Sequence, residues 1–271
     1  MHPKFILVAL LLVFSCNKKS PSSQNIECQE LQILLDKAKV NGAILIFDSN
    51  KNMYYASNFE EAKKGTIPAS TYKIPHTIIG LETGELEDEK TIFVWDGKKR
   101  AFSIWEKDMS LKEAFQKSCV PCYQELARKI GAKRMNENLA RLHFGEMHVT
   151  EETIADFWLT GESKINTFQQ IDFLKRLNNK ELPISDSTCK IIRNVLIIEK
   201  NEDFTLSGKT GLVIKSGKKV GWFVGYLEKG DHIFYFASRI TPKVDMAMTE
   251  FSLLRKTITR SAFRKLGVLE Y

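Results

Sequence analysis

Ser70 and Lys73 stand three residues apart in the stretch Pro68-Ala69-Ser70-Thr71-Tyr72-Lys73. If Ser70 opens a helix, Lys73 lies one turn on, on the same face and within reach of the serine hydroxyl. A serine needs a neighbouring base to become a nucleophile. A lysine buried among apolar groups loses its charge and can be that base. The spacing alone is a weak signal, because it recurs at Ser15/Lys18, Ser187/Lys190 and Ser216/Lys219. Ser70 differs in its setting, with Ile67 and Pro68 ahead and the apolar run Ile74 to Leu81 behind. Two further patterns follow along the chain. Ser118-Cys119-Val120 begins a helical stretch, where a serine serves equally well as an N-cap. Lys209-Thr210-Gly211 ends a strand candidate, where it equally marks the boundary with a turn. Singly each reads as structure; in the order S-x-x-K, S-x-V, K-T-G they read as parts of one serine-nucleophile site.

Other chemistries fit less well. His143, Glu146 and His148 form H-x-x-E-x-H, which is not the H-E-x-x-H pair one helical turn apart, so no metal is expected. Asp48, Glu82, Glu85 and Glu87 lie near turns with no reason to converge. Cys119-Val120-Pro121-Cys122 is a C-x-x-C without a thioredoxin-like β-α-β context, so a redox role is disfavoured. In an oxidising compartment it could close a disulfide or stay reduced, and the spacing does not choose. Lys and Arg number 40 against 33 Asp and Glu, a net charge of +7 that invites a nucleic-acid reading. The basic runs Lys98-Lys99-Arg100 and Lys218-Lys219 are short and lack interleaved aromatics, so no nucleic-acid partner is expected.

The elements that must position these residues can be read from periodicity. A chain of 271 residues is long enough for a sizeable core, and 43% hydrophobic with 27% charged residues is ordinary for a globular protein. That excludes a disordered chain, a collagen-like repeat and a polytopic membrane protein. Five cysteines are too few and too uneven for a disulfide scaffold. Cys28 to Val40 predicts a helix. Gly42 to Phe47 and Met53 to Ala56 predict a hairpin. Helical spacing covers Tyr72 to Leu81, Leu111 to Ile130, Lys133 to Leu142, Ile154 to Leu159 and Thr167 to Leu177. Phe204 to Lys209, Val220 to Leu227 and His232 to Arg239 predict consecutive antiparallel strands, turning at Gly217 and Gly230. A last helix runs from Met248 to Leu266. Strands at both ends with helices between predict an α/β (α+β) fold, an antiparallel sheet built from both termini with an inserted helical region.

The first residues read as an address. Met1-His2-Pro3-Lys4 followed by the apolar run Phe5 to Phe14 suits a signal peptide over 1–15; it is too short to span a membrane, which takes about 20 apolar residues. Val13-Phe14-Ser15-Cys16 is similar to the lipobox of bacterial lipoproteins, in which the cysteine is lipidated. Residues 16–25 then form a polar tether, and 26–271 the folded domain. The expectation is an exported, periplasmic protein, either anchored to a membrane through Cys16 or simply secreted, with Cys16 lost or incidental.

Taken together, the motifs resemble those of class D, oxacillinase-type serine β-lactamases over nearly the whole mature chain. Pro68 to Pro75 and Leu81-Glu82-Thr83-Gly84 are close to the family's signature around its nucleophile. Ser118-Cys119-Val120-Pro121 matches the second motif and Lys209-Thr210-Gly211 the fourth. Phe157-Trp158-Leu159 is similar to the family's tryptophan site, Gly221 to Gly225 to the strand after K-T-G, and Leu254-Arg255-Lys256 to the place of a carboxylate-binding arginine. Class A enzymes carry S-D-N where Ser118 stands, which disfavours that class. One motif departs: Phe144-Gly145-Glu146 stands where Y-G-N is usual, and neither Phe144 nor Glu146 is given a catalytic role.

The resemblance implies the penicillin-recognising, transpeptidase-like fold and hydrolysis of β-lactams through a serine acyl-enzyme, an activity that confers antibiotic resistance. It assigns the nucleophile to Ser70 and proton relay to Ser118. Lys73 is implied to be an N6-carboxylysine, carrying a CO2-derived carbamate and needing no other cofactor. Trp158 and Val120 would stabilise that carbamate. Lys209, Thr210, Gly211, Leu212 and Arg255 would bind the substrate, Leu212 lending its backbone N–H to an oxyanion hole with that of Ser70. Two alternatives share this fold: a penicillin-sensing domain that is acylated without turnover, and a peptidoglycan transpeptidase. The sensors carry a long membrane-embedded portion ahead of the domain, whereas a signal-like segment is expected here. Transpeptidases usually lack the tryptophan site.

Overall fold

The computed structural model describes residues 23–215 and 217–270; Cys16 and the expected signal peptide lie outside the described residues. In chain order the elements are β1 (Gln24–Glu27), α1 (Gln29–Lys37), β2 (Val40–Asp48), β3 (Met53–Ala56) and α2 (Phe59–Lys63). A 3-10 turn (Ala69–Tyr72) leads directly into α3 (Lys73–Glu82). Then come β4 (Ile92–Phe93), β5 (Met109–Ser110), α4 (Leu111–Gln116), α5 (Val120–Ile130), α6 (Ala132–Leu142), α7 (Thr167–Asn178) and α8 (Asp186–Leu196). The chain closes with β6 (Ile197–Lys200), β7 (Thr205–Lys215), β8 (Lys218–Lys229), β9 (His232–Pro242) and α9 (Met248–Lys265).

Seven strands form one sheet in the order β1-β3-β2-β9-β8-β7-β6, so both ends of the described chain build it, as expected. All its pairings are antiparallel except β1 with β3. Gln24 and Asn25, expected in the tether, pair with Met53 and Tyr54.

Alternation along the strands divides the core in two. Trp222, Val224 and Tyr226 of β8 pack toward the inserted helices, whereas Phe223 and Leu227 pack with α1 and α9. β2 does the same, with Leu45 and Phe47 on one side and Ile44 and Ile46 on the other. A sheet buried on both faces explains why these strands read as continuous apolar runs, without polar alternation.

Three departures from the periodicity reading have local causes. Leu111 to Ile130 is two helices, because Pro121 lacks an N–H and is tolerated only in a first turn; α5 therefore restarts just before it. Ile154 to Leu159 forms successive turns, with Asp156 and Phe157 both donating to the Thr153 carbonyl. So short a segment gains little from helix propagation after a costly nucleus. K-T-G does not end a strand but sits inside β7, where Gly211 pairs with Trp222.

Candidate active site

Ser70 lies in the tight 3-10 turn, and Lys73 opens α3 immediately after it. Pro75 falls in the first turn of α3, where its missing N–H costs nothing. Ala69, just before the serine, holds φ at 50°, a left-handed conformation rare for a residue with a side chain. The turn is held from three sides. Trp222 Nε1 donates to the Ile67 carbonyl at 3.0 Å, Thr71 Oγ1 donates to the Pro68 carbonyl at 2.7 Å, and Gln170 Nε2 donates to Thr71 Oγ1 at 2.8 Å. The fourth motif comes closest. A Cβ on Gly211 would stand 3.1 Å from the Pro68 carbonyl oxygen and 3.3 Å from the Ala69 Cβ. Glycine is therefore what lets β7 lie against the nucleophile's turn.

Ser118 sits between α4 and α5, also left-handed at φ 53°. Its Oγ accepts a hydrogen bond from Lys209 Nζ, which also donates to the Thr210 carbonyl at 3.0 Å, so the second and fourth motifs meet. Cys119 and Cys122 are joined by a disulfide. The bridge spans the first turn of α5, beside Ser118, and leaves Val120 half-buried at the start of the helix. Arg255, on α9, reaches across Gly221 and donates from Nη1 to the Gly211 carbonyl at 2.6 Å. Thr210 and Leu212 flank that glycine on β7, both half-buried.

Electrostatically the site is a cluster of basic side chains without counter-ions among the described residues. Lys73 is fully buried, its Nζ has no hydrogen-bond partner among the described residues, and it lies 4.4 Å from the centre of the Tyr123 ring. Burial pushes its pKa down to about 7. Burial, reinforced by the charges of Lys73, Arg255 and Lys256, holds Lys209 well below the ordinary lysine range. Burial also lowers Arg255, to about 10. Among the described residues none of these four cations forms an ion pair. Uncompensated positive charge around a nucleophile favours an anionic substrate. Lys209 and Thr210 line a cleft of about 290 Å³ together with Phe115, Lys117 and Lys256. A larger cavity, about 500 Å³, lies between the β2–β3 and β8–β9 turns and is lined by no serine or cysteine.

Beside Lys73 lies an aromatic cage, of which the motifs announced only Trp158. Tyr72 stacks on Trp158 at 5.9 Å and meets Phe157 and Phe144 edge-on. His76 and Tyr123 complete it, and the Tyr123 hydroxyl is bonded to Thr77 Oγ1 at 2.7 Å. Trp158 is fully buried, and its Nε1–H, like Lys73 Nζ, has no partner among the described residues. An apolar run on all faces of α3, including a histidine and a threonine, was the signal that could have pointed to the cage. In the third motif Phe144 backs Tyr72 and is buried, whereas Glu146 is exposed, its backbone tied to Lys164. His143 and His148 are exposed, and among the described residues no three His, Cys, Asp or Glu side chains gather to hold a metal ion.

A serine in a turn against a K-T-G strand, with a buried lysine one turn on, defines the serine enzymes and receptors that recognise penicillins. The family model of the penicillin-binding protein transpeptidase domain matches residues 37–256. Beta-lactamase OXA-48 of Klebsiella pneumoniae is 33% identical over 227 residues, 84% of each chain. A class D β-lactamase from Sebaldella termitidis superposes with a TM-score of 0.87 at 34% identity, covering 92% of this chain and all of the other. The C-terminal domain of the Bacillus licheniformis BlaR penicillin receptor gives 0.82 at 29% identity, over 91% and 98% of the two chains. The chain belongs to the class D β-lactamases.

Proposed function

We propose that the chain hydrolyses β-lactam antibiotics through an acyl-enzyme on Ser70. Lys73 carries the reading: a fully buried amine one turn from the serine, lowered to about 7 and with no competing hydrogen bond. Such an amine is neutral often enough at physiological pH to take the hydroxyl proton as Ser70 attacks the β-lactam carbonyl. The backbone N–H groups of Ser70 and Leu212 receive the developing oxyanion, supported by the close packing of β7 on the turn. Ser118, already accepting from Lys209, passes a proton to the leaving lactam nitrogen. Lys209, Thr210 and Arg255 hold the substrate carboxylate, whose charge the unpaired cations require.

The residues around Lys73 also fit a carbamate formed there from CO2. Two buried polar atoms, Lys73 Nζ and Trp158 Nε1, are orphaned in one cage, a cost that a group accepting a hydrogen bond between them removes. When bound, the carbamate supplies an oxygen base in place of the amine. Trp158 donates its N–H, and Val120 with the aromatic cage excludes water.

The likeness to the penicillin receptor supports a second reading, in which Ser70 is acylated and remains so. Intact-protein mass spectrometry during exposure to benzylpenicillin separates the two. Hydrolysis predicts an adduct that appears and decays while product accumulates, with none in Ser70→Ala. A permanent adduct selects the receptor, and an adduct persisting in Ser70→Ala overturns both. We also propose that the protein is exported to the periplasm and tethered to a membrane by lipid on Cys16.

A further inference from the structure

The cage around Lys73 contains a third orphan that the mechanism does not use. His76 is fully buried, and among the described residues neither Nδ1 nor Nε2 has a hydrogen-bond partner. It lies one turn after Lys73 on α3, on the same side of the helix. Both side chains rest on the Tyr123 ring: Lys73 Nζ is 4.4 Å from its centre, and the His76 ring packs edge-on at 5.2 Å. The Trp158 indole, whose N–H is also free, lies 5.2 Å from His76 centre to centre. The titratable groups facing His76 are Tyr72 from the 3-10 turn, Tyr123 from α5 and Lys73 from its own helix; Lys209 of β7 stands beyond Lys73. No carboxylate is bonded to it among the described residues. A neutral imidazole in such a place keeps one nitrogen free to accept a proton.

We propose that His76 takes up the proton released when Lys73 captures CO2, so that the cage holds an imidazolium–carbamate pair. The inference rests on the carboxylated form of Lys73 proposed above. In the reaction the Nζ lone pair forms the bond to the CO2 carbon. One C=O π pair moves onto oxygen, and an N–H proton passes to the imidazole. Nothing is oxidised or reduced, and no charge enters or leaves the cage. Without His76 the proton goes to solvent and the carbamate is a buried anion with no compensating charge nearer than Lys209, which is less favourable. The charge on Lys73 also decides the state of His76. Burial and the ammonium of unmodified Lys73 both hold the imidazole neutral, whereas an anion at that position reverses the second effect. By linkage, the proton on His76 favours the modified lysine to the same extent.

The test is the proton stoichiometry of CO2 binding, which a merely structural histidine does not alter. Carbamate on the full chain is followed by 13C NMR with labelled bicarbonate, at known dissolved CO2, between pH 7.5 and 8.5. In this range Lys73 is mostly neutral, so the wild type releases no proton and its CO2 dissociation constant is nearly flat with pH. His76→Asn releases one proton, and its constant rises about tenfold for each unit that pH falls. Equal slopes in the two proteins overturn the proposal. Because the variant replaces a buried ring, the wild type is also read directly by 15N NMR of labelled histidine. His76 is expected to be imidazolium in the presence of CO2 and neutral after its removal. A carbamate signal with His76 neutral overturns this inference and leaves the carboxylysine standing. No carbamate signal at all overturns both.

Discussion

A lysine whose amine finds no hydrogen-bond partner in the core weakens the fold that contains it, and Lys73 makes that cost measurable. In the folded chain its pKa is about 7, against 10.5 for the free side chain. Between those values the unfolded state binds more protons, so stability rises with pH across the window. The penalty is full below about pH 7 and vanishes toward pH 10.5. At about 1.4 kcal/mol per unit it amounts to several kcal/mol. Lys73→Met, which keeps most of the volume, is therefore expected to be inactive yet more stable than wild type in CO2-free buffer. The gain should be several kcal/mol at pH 6.5 and fall to about 1 kcal/mol at pH 10, as read by thermal unfolding at both. A gain independent of pH, or a loss, would contradict the assignment of the penalty to the amine's charge.

At the level of elements, catalysis depends on how closely β7 approaches the turn that carries Ser70. Gly211 is not in a left-handed conformation, so its need for glycine comes only from contact with Pro68, Ala69 and Thr71. Gly211→Ala asks those atoms to give by a few tenths of an ångström, moving the oxyanion-hole strand relative to the nucleophile. Alanine is no worse than glycine inside a strand, so the melting temperature should change little. Acylation should slow by about 10- to 100-fold, because misplacement well below an ångström spoils a preorganised site. Stopped-flow acylation with a chromogenic cephalosporin measures this, and an unchanged rate would show that the approach is not needed. The break between α4 and α5 acts at the same scale. Pro121 restarts the helix, Ser118 is left in a left-handed corner, and the Cys119–Cys122 bridge closes the first turn beside it.

For the molecule as a whole, the sheet separates two cores: α1 and α9 cover one face and the inserted helices the other. The site lies where the insert meets β7, and Arg255 is sent in from α9 through the space left by Gly221. The chain enters this body at β1, paired along β3. The lipid proposed on Cys16 lies outside the described residues. Cys16→Ala is expected to move the protein from the membrane fraction to the soluble periplasmic fraction with kcat for penicillin unchanged. A wild type found wholly in the soluble fraction would remove the lipid anchor.

The spacing of Ser70 and Lys73 was legible in the chain because one helical turn is a local geometry. So were the hairpin of β2 and β3 and the consecutive strands β7 to β9, whose periodicity belongs to each segment alone. The helix break is legible in principle at Pro121, but helical periodicity runs across it; Lys209-Thr210-Gly211 reads as a strand end, although Gly211 pairs within β7. Trp158 and Arg255 were reached only through likeness to a family, because nothing near them in sequence says what they face. What tertiary packing alone decided is the environment of Lys73. Tyr72 and His76 belong to the turn and helix of Lys73 itself, but Tyr123 of α5 and Trp158 come from distant segments, and only their convergence on that helix removes the water that would keep the lysine charged. Sequence carries the identity of such groups, but a pKa depends on solvent exclusion, which many distant residues produce together.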